Sequence, residues 1–394
     1  MRKEKLKDIG KFYSGLSGKS KEDFSNGNAL FVTYNNIFNN PILNPTITDT
    51  VLVNQGEKQN EVLLGDILFT GSSETPEEAG MSSVVLTEPK TKMYLNSFCF
   101  GFRLNDKKEI SSAYIGHLLR SASMRKAISK TAFGVTRFNI NKERLSNIEI
   151  PLPPLSIQRE IVSVLDSFTT LIDKMKKEVE LRKKQMECYR EKIFDFEKKY
   201  ETKTLGELFT FKNGINKEKK DFGIGKPIIN YNDVYKKRGL YKKDIKGLVN
   251  SNDSEVARYK CKRGDVFFTR TSETKEEVGF PSVLLEDVED CVFSGFVLRA
   301  APTTNLLDVN YCKYCFFTEQ FRKEVIKRAT LTTRALTNGN SLSKICMPLP
   351  PLSKQREIAR TLDIFEEYIQ RLEKLISLRQ KQYEYYREKL LTFE

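Results

Sequence analysis

The chain has 394 residues, of which 39% are hydrophobic and 30% charged, and its formal net charge is +14 at pH 7. Domains usually have about 100–200 residues, so this length predicts two large domains with enough apolar residues for real cores. No segment resembles a signal peptide and no run of about 18 apolar residues occurs, which predicts a soluble cytoplasmic protein. Seven cysteines at irregular spacings agree with a reducing compartment.

The surplus positive charge lies in two long segments. Residues 1–154 hold 20 Lys and Arg against 16 Asp and Glu, and residues 202–351 hold 26 against 18. The two shorter segments are highly charged but nearly balanced. Basic residues number 11 against 10 acidic residues in 155–201, and 9 against 8 in 352–394. This balance favours an anionic polymer as partner, although surface lysines can also serve solubility alone.

The first 150 residues predict a mixed globular head. Short strands are predicted at 66–70, 83–86 and 98–104, and one amphipathic helix at 112–130. Strands followed by a helix favour an α+β fold built mainly around an antiparallel sheet.

A long helix is predicted after the proline-rich turn PLPPLSIQ at 151–158. Its apolar positions step by 4, 3, 4, 3 without Gly or Pro, which indicates a heptad seam, with Arg182 as its single break. A helix from Ile161 to Phe196 would be a rod of roughly 54 Å at about 1.5 Å per residue. Before the break the seam residues are Ile161, Leu165, Phe168, Ile172, Met175 and Val179.

The second half of the chain repeats the first at an offset of 197 residues, without a gap from Tyr114/Tyr311 to Phe196/Phe393. Strands are predicted at 265–269, 282–285 and 292–298 and a helix at 310–328. The turn returns as PLPPLSKQ at 348–355, and Arg379 breaks the second seam. The second seam contains Ile358, Leu362, Phe365, Ile369, Leu372 and Ile376.

The repeat divides the chain into heads at 1–150 and 201–347 and helical spacers at 151–200 and 348–394. A helix with one apolar seam needs a partner. We expect the two spacers to pair as an antiparallel coiled coil, and the alternative is that each helix docks on its own head. The heads have diverged more than the spacers, as in a reader of two half-sites or in any old duplication.

Motifs for catalysis are missing from the sequence. His117 is the one histidine, so a catalytic triad and a histidine-rich metal site are excluded, and we interpret it as a structural or surface residue. Cys312 and Cys315 have CxxC spacing but stand where the first copy has Ile and Leu. They are therefore interpreted as helix core. No G-x-G-x-x-G motif supports a dinucleotide or adenosyl-methionine loop.

A short pattern in the second head deserves a separate interpretation. Asp265, Glu273 and Lys275 match the D…ExK arrangement of nuclease metal sites, but the first copy has Pro76 in place of the lysine. So short a pattern arises often by chance, and we do not interpret it as a nuclease site.

Two repeated motifs carry a family resemblance. The first is I-x-x-P-L-P-P-L-x-x-Q-R-E-I, from Ile148 to Ile161 and from Ile345 to Ile358, and the second is Gly-Asp-hydrophobic-hydrophobic-Phe-Thr, at 65–70 and 264–269. With them the chain resembles the specificity subunits of type I restriction–modification systems over essentially its whole length. That family often has an arginine and a Gly-rich turn after Gly-Asp. Arg270 matches the arginine of that pattern in the second head, whereas the first head has Gly71 at this position. The turn that follows is acidic in both heads.

The resemblance implies a non-catalytic, sequence-specific DNA-binding subunit. Each target-recognition domain would read half of a bipartite site, and the paired helices would set the gap and dock two methyltransferase subunits. Two added restriction/translocase subunits would complete the nuclease. Adenosyl-methionine, ATP and Mg²⁺ would be bound by those partners, and this chain would hold no cofactor or metal. The alternatives are a self-sufficient DNA nuclease and a coiled-coil adaptor that binds protein only.

Basic and amide side chains are the candidates for DNA contact. Lys and Arg bind phosphates without reading sequence, whereas Asn, Arg, Tyr and Thr on loops can reach base edges. For each residue taken singly, a solvated loop residue is the alternative. The candidates in the first head are Lys19, Tyr34, Asn35, Asn36, Arg125, Lys126 and Arg137. Those in the second are Lys217, Lys219, Lys220, Tyr231, Asn232, Lys236, Lys237, Arg238, Lys242, Lys243, Arg270, Thr271, Arg322, Lys323 and Arg334.

Overall fold

A computed structural model describes residues 2–106, 108–195 and 200–393. The chain forms two units, unit 1 (Met1–Lys176 with Lys374–Glu394) and unit 2 (Lys177–Glu373). Each unit contains one head and parts of both long helices. Within the three described ranges, no helix combines the length and apolarity needed to cross a membrane. Phe196, the predicted end of the first long helix, lies outside the described residues.

The head of unit 1 is an α+β fold. Its strands are β1 (Arg2–Lys5), β2 (Gly10–Ser14), β3 (Ala29–Val32), β4 (Thr48–Val51), β5 (Ile67–Thr70), β6 (Ser72–Ser73), β7 (Ser82–Val84), β8 (Met93–Leu95), β9 (Cys99–Leu104), β10 (Ala132–Phe133), β11 (Phe138–Ile140) and β12 (Glu149–Leu152). The fold is built around a four-stranded antiparallel sheet in the order β2-β9-β5-β7, beside the three-stranded sheets β4-β3-β8 and β10-β11-β6. Its helices are α1 (Leu6–Ile9), α2 (Tyr34–Asn39), α3 (Ser112–Leu119), α4 (Ala122–Ser129) and α5 (Lys142–Ser146), and the long helix α6 (Leu155–Ile193) follows.

The head of unit 2 has the same plan. Its strands are β13 (Thr202–Thr204), β14 (Phe209–Asn213), β15 (Phe222–Ile229), β16 (Gly239–Leu240), β17 (Gly247–Val249), β18 (Val266–Thr269), β19 (Thr271–Ser272), β20 (Pro281–Leu284), β21 (Val292–Phe293), β22 (Val297–Pro302), β23 (Thr330–Leu331), β24 (Ala335–Leu336) and β25 (Cys346–Pro348). Its main sheet has the order β14-β22-β18-β20-β16, and its smaller sheets are β17-β15-β21 and β19-β24-β23. Its helices are α7 (Leu205–Leu208), α8 (Tyr231–Lys236), α9 (Asp253–Tyr259), α10 (Val309–Cys315), α11 (Glu319–Arg328) and α12 (Gly339–Ser343), and α13 (Leu352–Leu391) follows.

Aromatic side chains fill the core of each head. In unit 1, Phe69 of β5 stacks on Phe100 of β9, with ring centroids 5.2 Å apart, and both are buried. In unit 2, Phe267 of β18 meets Phe293 of β21 edge to face at 5.6 Å. Fully burying one such side chain contributes about 1.5–3 kcal/mol. The apolar runs recognised in the sequence therefore form the central strands because their side chains supply this core.

Three predicted elements are divided in the structure. The predicted helix 112–130 is two helices, because the Ser121 side chain accepts a hydrogen bond from the backbone N–H of Met124 and starts α4. Thr318 starts α11 in the same way, so 310–328 is also two helices. Small hydroxyl side chains favour such caps over the helix interior. The predicted strand 292–298 is β21 and β22, separated by a turn at 294–296.

Each head is closed by a pairing of its first and last strands. β1 pairs antiparallel with β12, so that Arg2 lies opposite Leu152. β13 pairs with β25 in the same sense, with Thr202 opposite Pro348. The chain therefore enters and leaves each head on adjacent strands, immediately before its long helix.

The predicted seam faces inward in both long helices. All twelve seam residues from Ile161 to Val179 and from Ile358 to Ile376 are buried or half-buried. In unit 1, the rings of Phe168 and Tyr386 stack at 5.5 Å, and Ile161 and Leu391 share one core cluster. The segments of α6 and α13 in unit 1 therefore run antiparallel.

The same arrangement occurs within unit 2. The rings of Tyr189 and Phe365 lie 5.8 Å apart, and Lys183 Nζ is 2.7 Å from Glu373 Oε1. Arg182, the break in the seam, is half-buried; its Nε is 2.7 Å from Glu178 Oε1 and its guanidinium lies over the Tyr368 ring at 5.7 Å. The charged break is thus neutralised by an acid on its own helix and covered by an aromatic ring.

Candidate nucleic-acid interface

The aspartate of the Gly-Asp motif has a structural role in both heads. Asp66 is buried, and its Oδ1 and Oδ2 accept hydrogen bonds from the Arg103 guanidinium at 2.8 and 2.7 Å. Its Oδ2 also accepts a hydrogen bond from the Leu63 backbone N–H at 2.9 Å. Asp265 Oδ2 accepts from the Lys262 N–H at 2.9 Å, with Arg299 at 3.8 Å. Burial raises the pKa of Asp265. Each aspartate fixes the turn that leads into the central strand.

This position also bears on the D…ExK pattern. Asp265 precedes β18 and Glu273 follows β19, so both strands lie between the two carboxylates. In the part of the chain that the structure describes, no cluster of three or more His, Cys, Asp or Glu side chains suits a metal ion.

Arg125 and Arg322, two of the predicted DNA contacts, are turned inward onto the acidic loops. Arg125 donates to the carbonyl oxygens of Glu77, Ala79 and Gly80 at 2.6–2.7 Å. Arg322 donates to those of Glu276, Val278 and Gly279 at 2.8 Å. Burial lowers the pKa of each guanidinium to about 10. Because these guanidinium groups each bind three backbone carbonyls, we assign them to loop support rather than to DNA.

Four further candidates are held by internal contacts. Lys19 is paired with Glu57 at 2.6 Å and its side chain is 4% exposed. The buried Asn36 amide donates to the carbonyls of Asn44 and Ile47. Arg238 lies 3.3 Å from Glu366 of α13 and 5.0 Å from the Phe317 ring, and Arg270 donates to the Gly295 carbonyl at 2.7 Å. Sequence alone did not separate these side chains from exposed ones, because residue type does not report direction.

The other candidates lie at the surface, exposed or half-exposed. Tyr34, Tyr231, Thr271 and Lys217 are half-exposed, and Lys217 is paired with Glu255 at 2.7 Å. Ten of the second-head candidates lie within residues 217–243 of the sequence, whereas those of the first head are spread from residue 19 to residue 137. The exposed candidates are Asn35, Lys126, Arg137, Lys219, Lys220, Asn232, Lys236, Lys237, Lys242, Lys243, Lys323 and Arg334.

Each head has an exposed aromatic turn that the sequence did not indicate, and in the first head this turn lies beside Arg137 of the β10–β11 hairpin. Phe98 and Phe296 are 61% and 64% exposed. In the first head, the Arg137 guanidinium lies 5.6 Å from the Phe98 ring centroid, and Arg137 Nε donates to Ser72 Oγ at 3.1 Å. Tyr34 Oη donates to the Ser72 carbonyl at 2.8 Å. The predicted contacts Tyr34 and Arg137 therefore meet at one place. Phe98 was predicted inside a strand, but β9 begins one residue later.

The acidic turns contact their own heads. Ser73 Oγ donates to Glu78 at 3.2 Å and Ser272 Oγ to Glu277 at 3.0 Å. Arg334 lies 3.4 Å from Glu273. These bonds hold part of the negative charge in place beside the exposed arginines.

The single histidine joins the first head to the long helices within unit 1. His117 is 8% exposed; its Nε2 lies 2.8 Å from Asp166 Oδ1 and its Nδ1 lies 3.3 Å from Tyr383 Oη. In unit 2, Tyr314 occupies the matching position and donates to Asp363 at 2.7 Å. Cys312 and Cys315 are buried in the same helix, α10, as helix-core residues. His117 is thus a structural residue, one of the two expected alternatives, and the prediction of core cysteines is confirmed.

The glutamine of the proline-rich motif joins each head to its long helix. Gln158 Oε1 accepts from the Ser111 N–H at 2.9 Å, and its Nε2 donates to the carbonyls of Glu109 and Pro153. Gln355 makes the same three bonds with Asp308, Leu306 and Pro350. Ser111 and Asp308 are the N-caps of α3 and α10. The repeated motif is therefore the joint between the head and the long helix.

Comparison with known proteins agrees with this architecture. The type I restriction modification DNA specificity domain matches twice, at residues 1–181 and 197–378. The chain is 25% identical over 296 residues to the type I restriction enzyme EcoKI specificity subunit of Escherichia coli strain K12, covering 70% of this chain and 62% of that protein. It is 28% identical over 271 residues to the EcoR124I/EcoR124II specificity subunit of Escherichia coli, covering 62% of this chain and 63% of that protein. The chain thus spans less than two thirds of these relatives.

The fold also has a solved counterpart. A chain from a study of complex assembly and conformational transition of the type I R-M system superposes with a TM-score of 0.66 at 14% identity, over 99% of this chain and 97% of that one. At this identity the likeness concerns the fold alone. The two matched copies cover most of the sequence, and the chain therefore belongs to the family of type I restriction–modification DNA specificity domains.

Proposed function

We propose that this chain reads a bipartite DNA site, with one head on each half, and scaffolds the subunits of a type I restriction–modification complex. The observation that carries the proposal is a repeated framework with unlike surfaces. The Gly-Asp turn, the inward arginine and the glutamine joint recur in both heads. The lysine-rich segment 217–243 belongs to the second head alone. Two similar scaffolds that present different basic and amide side chains suit two different half-sites.

The two long helices are proposed to pair as an antiparallel coiled coil along their length. From Phe168 to Tyr189 the first helix advances 21 residues, and from their partners Tyr386 to Phe365 the second goes back 21. Three heptads in each direction keep one face in register, as a coiled coil requires. In this proposal the paired helices set the gap between the half-sites.

Two methyltransferase subunits are proposed to dock on a second apolar stripe of these helices. Leu171 and Leu181 are 41% and 62% exposed, and Tyr368 and Leu378, at the same places in the repeat, are 43% and 53% exposed. Exposed apolar patches commonly mark interfaces with other proteins. Adenosyl-methionine would bind to these partners, and ATP and Mg²⁺ to two restriction/translocase subunits where present.

The docking proposal is tested with Leu181→Glu and Leu378→Glu. We expect each single variant to lose one methyltransferase subunit in native mass spectrometry and the double variant to lose both. Thr170→Glu is the matched control, because Thr170 is exposed on the same helix and its repeat counterpart is Glu367. Full assembly of the double variant would contradict the assignment.

The reading proposal is tested by exchanging residues 1–150 for the head of another family member. Mapping methylated bases made by the reconstituted methyltransferase complex should show a new sequence in one half of the motif and the old sequence in the other. A motif changed in both halves, or in neither, would show that the heads do not read independently. Absence of a split motif in the parent complex would contradict the bipartite site itself.

A further inference from the structure

Each head exposes one phenylalanine at the same place beside its central sheet. Phe98 lies in the turn before β9, and its carbonyl accepts from the Gly71 N–H at 2.8 Å, just past the end of β5. Phe296 lies in the turn before β22, and its carbonyl accepts from the Arg270 N–H at 3.1 Å, just past β18. Both rings are more than three fifths exposed. A large exposed ring at one isolated place needs no explanation, but its repetition at matching places does.

Different residues stabilise the turn in each of the two heads. In the first head, Asn96 Oδ1 accepts from the Phe98 N–H at 2.9 Å, and a Cβ on Gly71 would lie 2.5 Å from the Phe98 carbonyl oxygen. In the second head, Ser294 Oγ accepts from the Phe296 N–H at 3.3 Å, and Arg270 donates to the carbonyl of the intervening Gly295. Different residues thus hold the same ring outward. The ring therefore serves a task common to both heads, not the reading of one base.

The surroundings of the ring indicate a nucleic acid. In the first head, the exposed Arg137 guanidinium lies 5.6 Å from the Phe98 ring centroid, and the hairpin tip carries Val135, which is 90% exposed. In the second head, Arg334 stands at the matching place of the hairpin and is likewise exposed. A cation that can reach a phosphate beside a ring that can meet a base is the pairing found where proteins bind opened nucleic-acid strands.

Building on the proposed function, we propose that Phe98 and Phe296 act as apolar wedges, each entering one base step of its own half-site and partly unstacking it. Arg137 and Arg334 then lie beside the flanking backbone. Apolar side chains inserted between base pairs kink the duplex and allow more protein surface to contact it. The wedge acts on DNA shape, so it can be shared by heads that read different sequences.

The test uses the full chain assembled with its methyltransferase subunits. The probe is a duplex carrying the methylated motif mapped for this complex, with 2-aminopurine placed at one position at a time. Unstacking raises the fluorescence of this base. We expect the parent complex to show one bright position in each half-site other than the target base that the methyltransferase turns out of the duplex. Phe98→Ala should lose only one of these positions and Phe296→Ala only the other. Because stacking of one base on an aromatic side chain contributes strongly to affinity, each variant should bind about 5- to 100-fold more weakly.

Two further variants separate the wedge from general effects of substitution. Phe98→Trp keeps a stacking ring and should retain the bright position. Leu63→Ala removes another exposed apolar side chain, which lies before the opposite end of β5, and should behave as the parent.

Each outcome decides the proposal. If the parent binds the duplex and the alanine variants give the parent affinity and fluorescence profile, the wedge is refuted while the proposed function stands. Loss of a methyltransferase subunit from the variants, with DNA binding otherwise unchanged, would show that the rings face protein and also refutes it. A parent complex that does not bind its own motif refutes the proposed function first.

Discussion

Gln355→Ala is expected to loosen the joint between the second head and its long helix. The side chain is fully buried, and three hydrogen bonds of 2.8 Å link it to the Asp308 N–H and to the carbonyls of Leu306 and Pro350. Alanine leaves one N–H and two carbonyls without these partners. An unsatisfied buried polar group costs about 1–3 kcal/mol, so the joint should lose about 3 kcal/mol or more.

Hydrogen exchange measured by mass spectrometry on peptides covering 304–315 and 349–360 reports the joint directly. A loss of about 3 kcal/mol corresponds to exchange roughly 100-fold faster in these segments. A local measurement is needed because unfolding of a chain with several units does not follow two states. Gln380→Ala is the matched control, since Gln380 is exposed on the same helix. Unchanged exchange at 304–315 in Gln355→Ala would refute the reasoning.

The isosteric variant Gln355→Glu adds a dependence on pH. A buried carboxylate facing two carbonyls has its pKa raised above the ordinary value of about 4.3. The folded state then binds the proton more tightly than the unfolded state. Stability is therefore highest below about pH 4.3 and falls as the pH rises through the raised folded-state pKa. Exchange at the joint should accordingly be slower at acidic pH than at neutral pH, after correction for the intrinsic rate.

Three further outcomes are expected. Arg125→Met should speed hydrogen exchange at 74–82 by at least tenfold, because three carbonyls lose a charged donor, while Lys126→Met, an exposed neighbour, should not. A heptad added to each long helix lengthens the rod by about 10 Å, so the gap in the methylated motif should widen by at most about three base pairs at roughly 3.4 Å each; an active variant with the original gap would mean that the helices do not set it. The isolated chain should neither cleave nor methylate DNA, nor bind adenosyl-methionine, and calorimetric binding of adenosyl-methionine would contradict this.

The long helices and the repeat could be predicted from the sequence because their signals are periodic. An apolar residue at every third or fourth position predicts one continuous buried face, and the seam from Ile161 to Val179 is buried or half-buried as predicted. The breaks at Ser121 and Thr318 were missed because a hydroxyl cap competes locally with a helix pattern that is otherwise unbroken. Parallel pairings such as β3 with β8 could not be predicted, since they join residues far apart in sequence.

The candidate interface was harder to predict for a different reason. Arg125 and Arg137 have the same side chain and lie close in sequence, yet one binds three carbonyls of its own head and the other is exposed. Only the backbone around them decides which way each points. The exposure of Phe98 could not be predicted for the same reason, because a phenylalanine next to an apolar run is indistinguishable in sequence from a core residue.

The pairing of its first and last strands makes each head a unit that can be exchanged as a whole. Since β1 lies beside β12 and β13 beside β25, the two ends of a head are about 5 Å apart, whatever the length of chain between them. Recombination between related genes at these strands can therefore install a head of another size without pulling on the helix that follows. Likewise, a circularly permuted chain that begins at the second head would keep both closures intact.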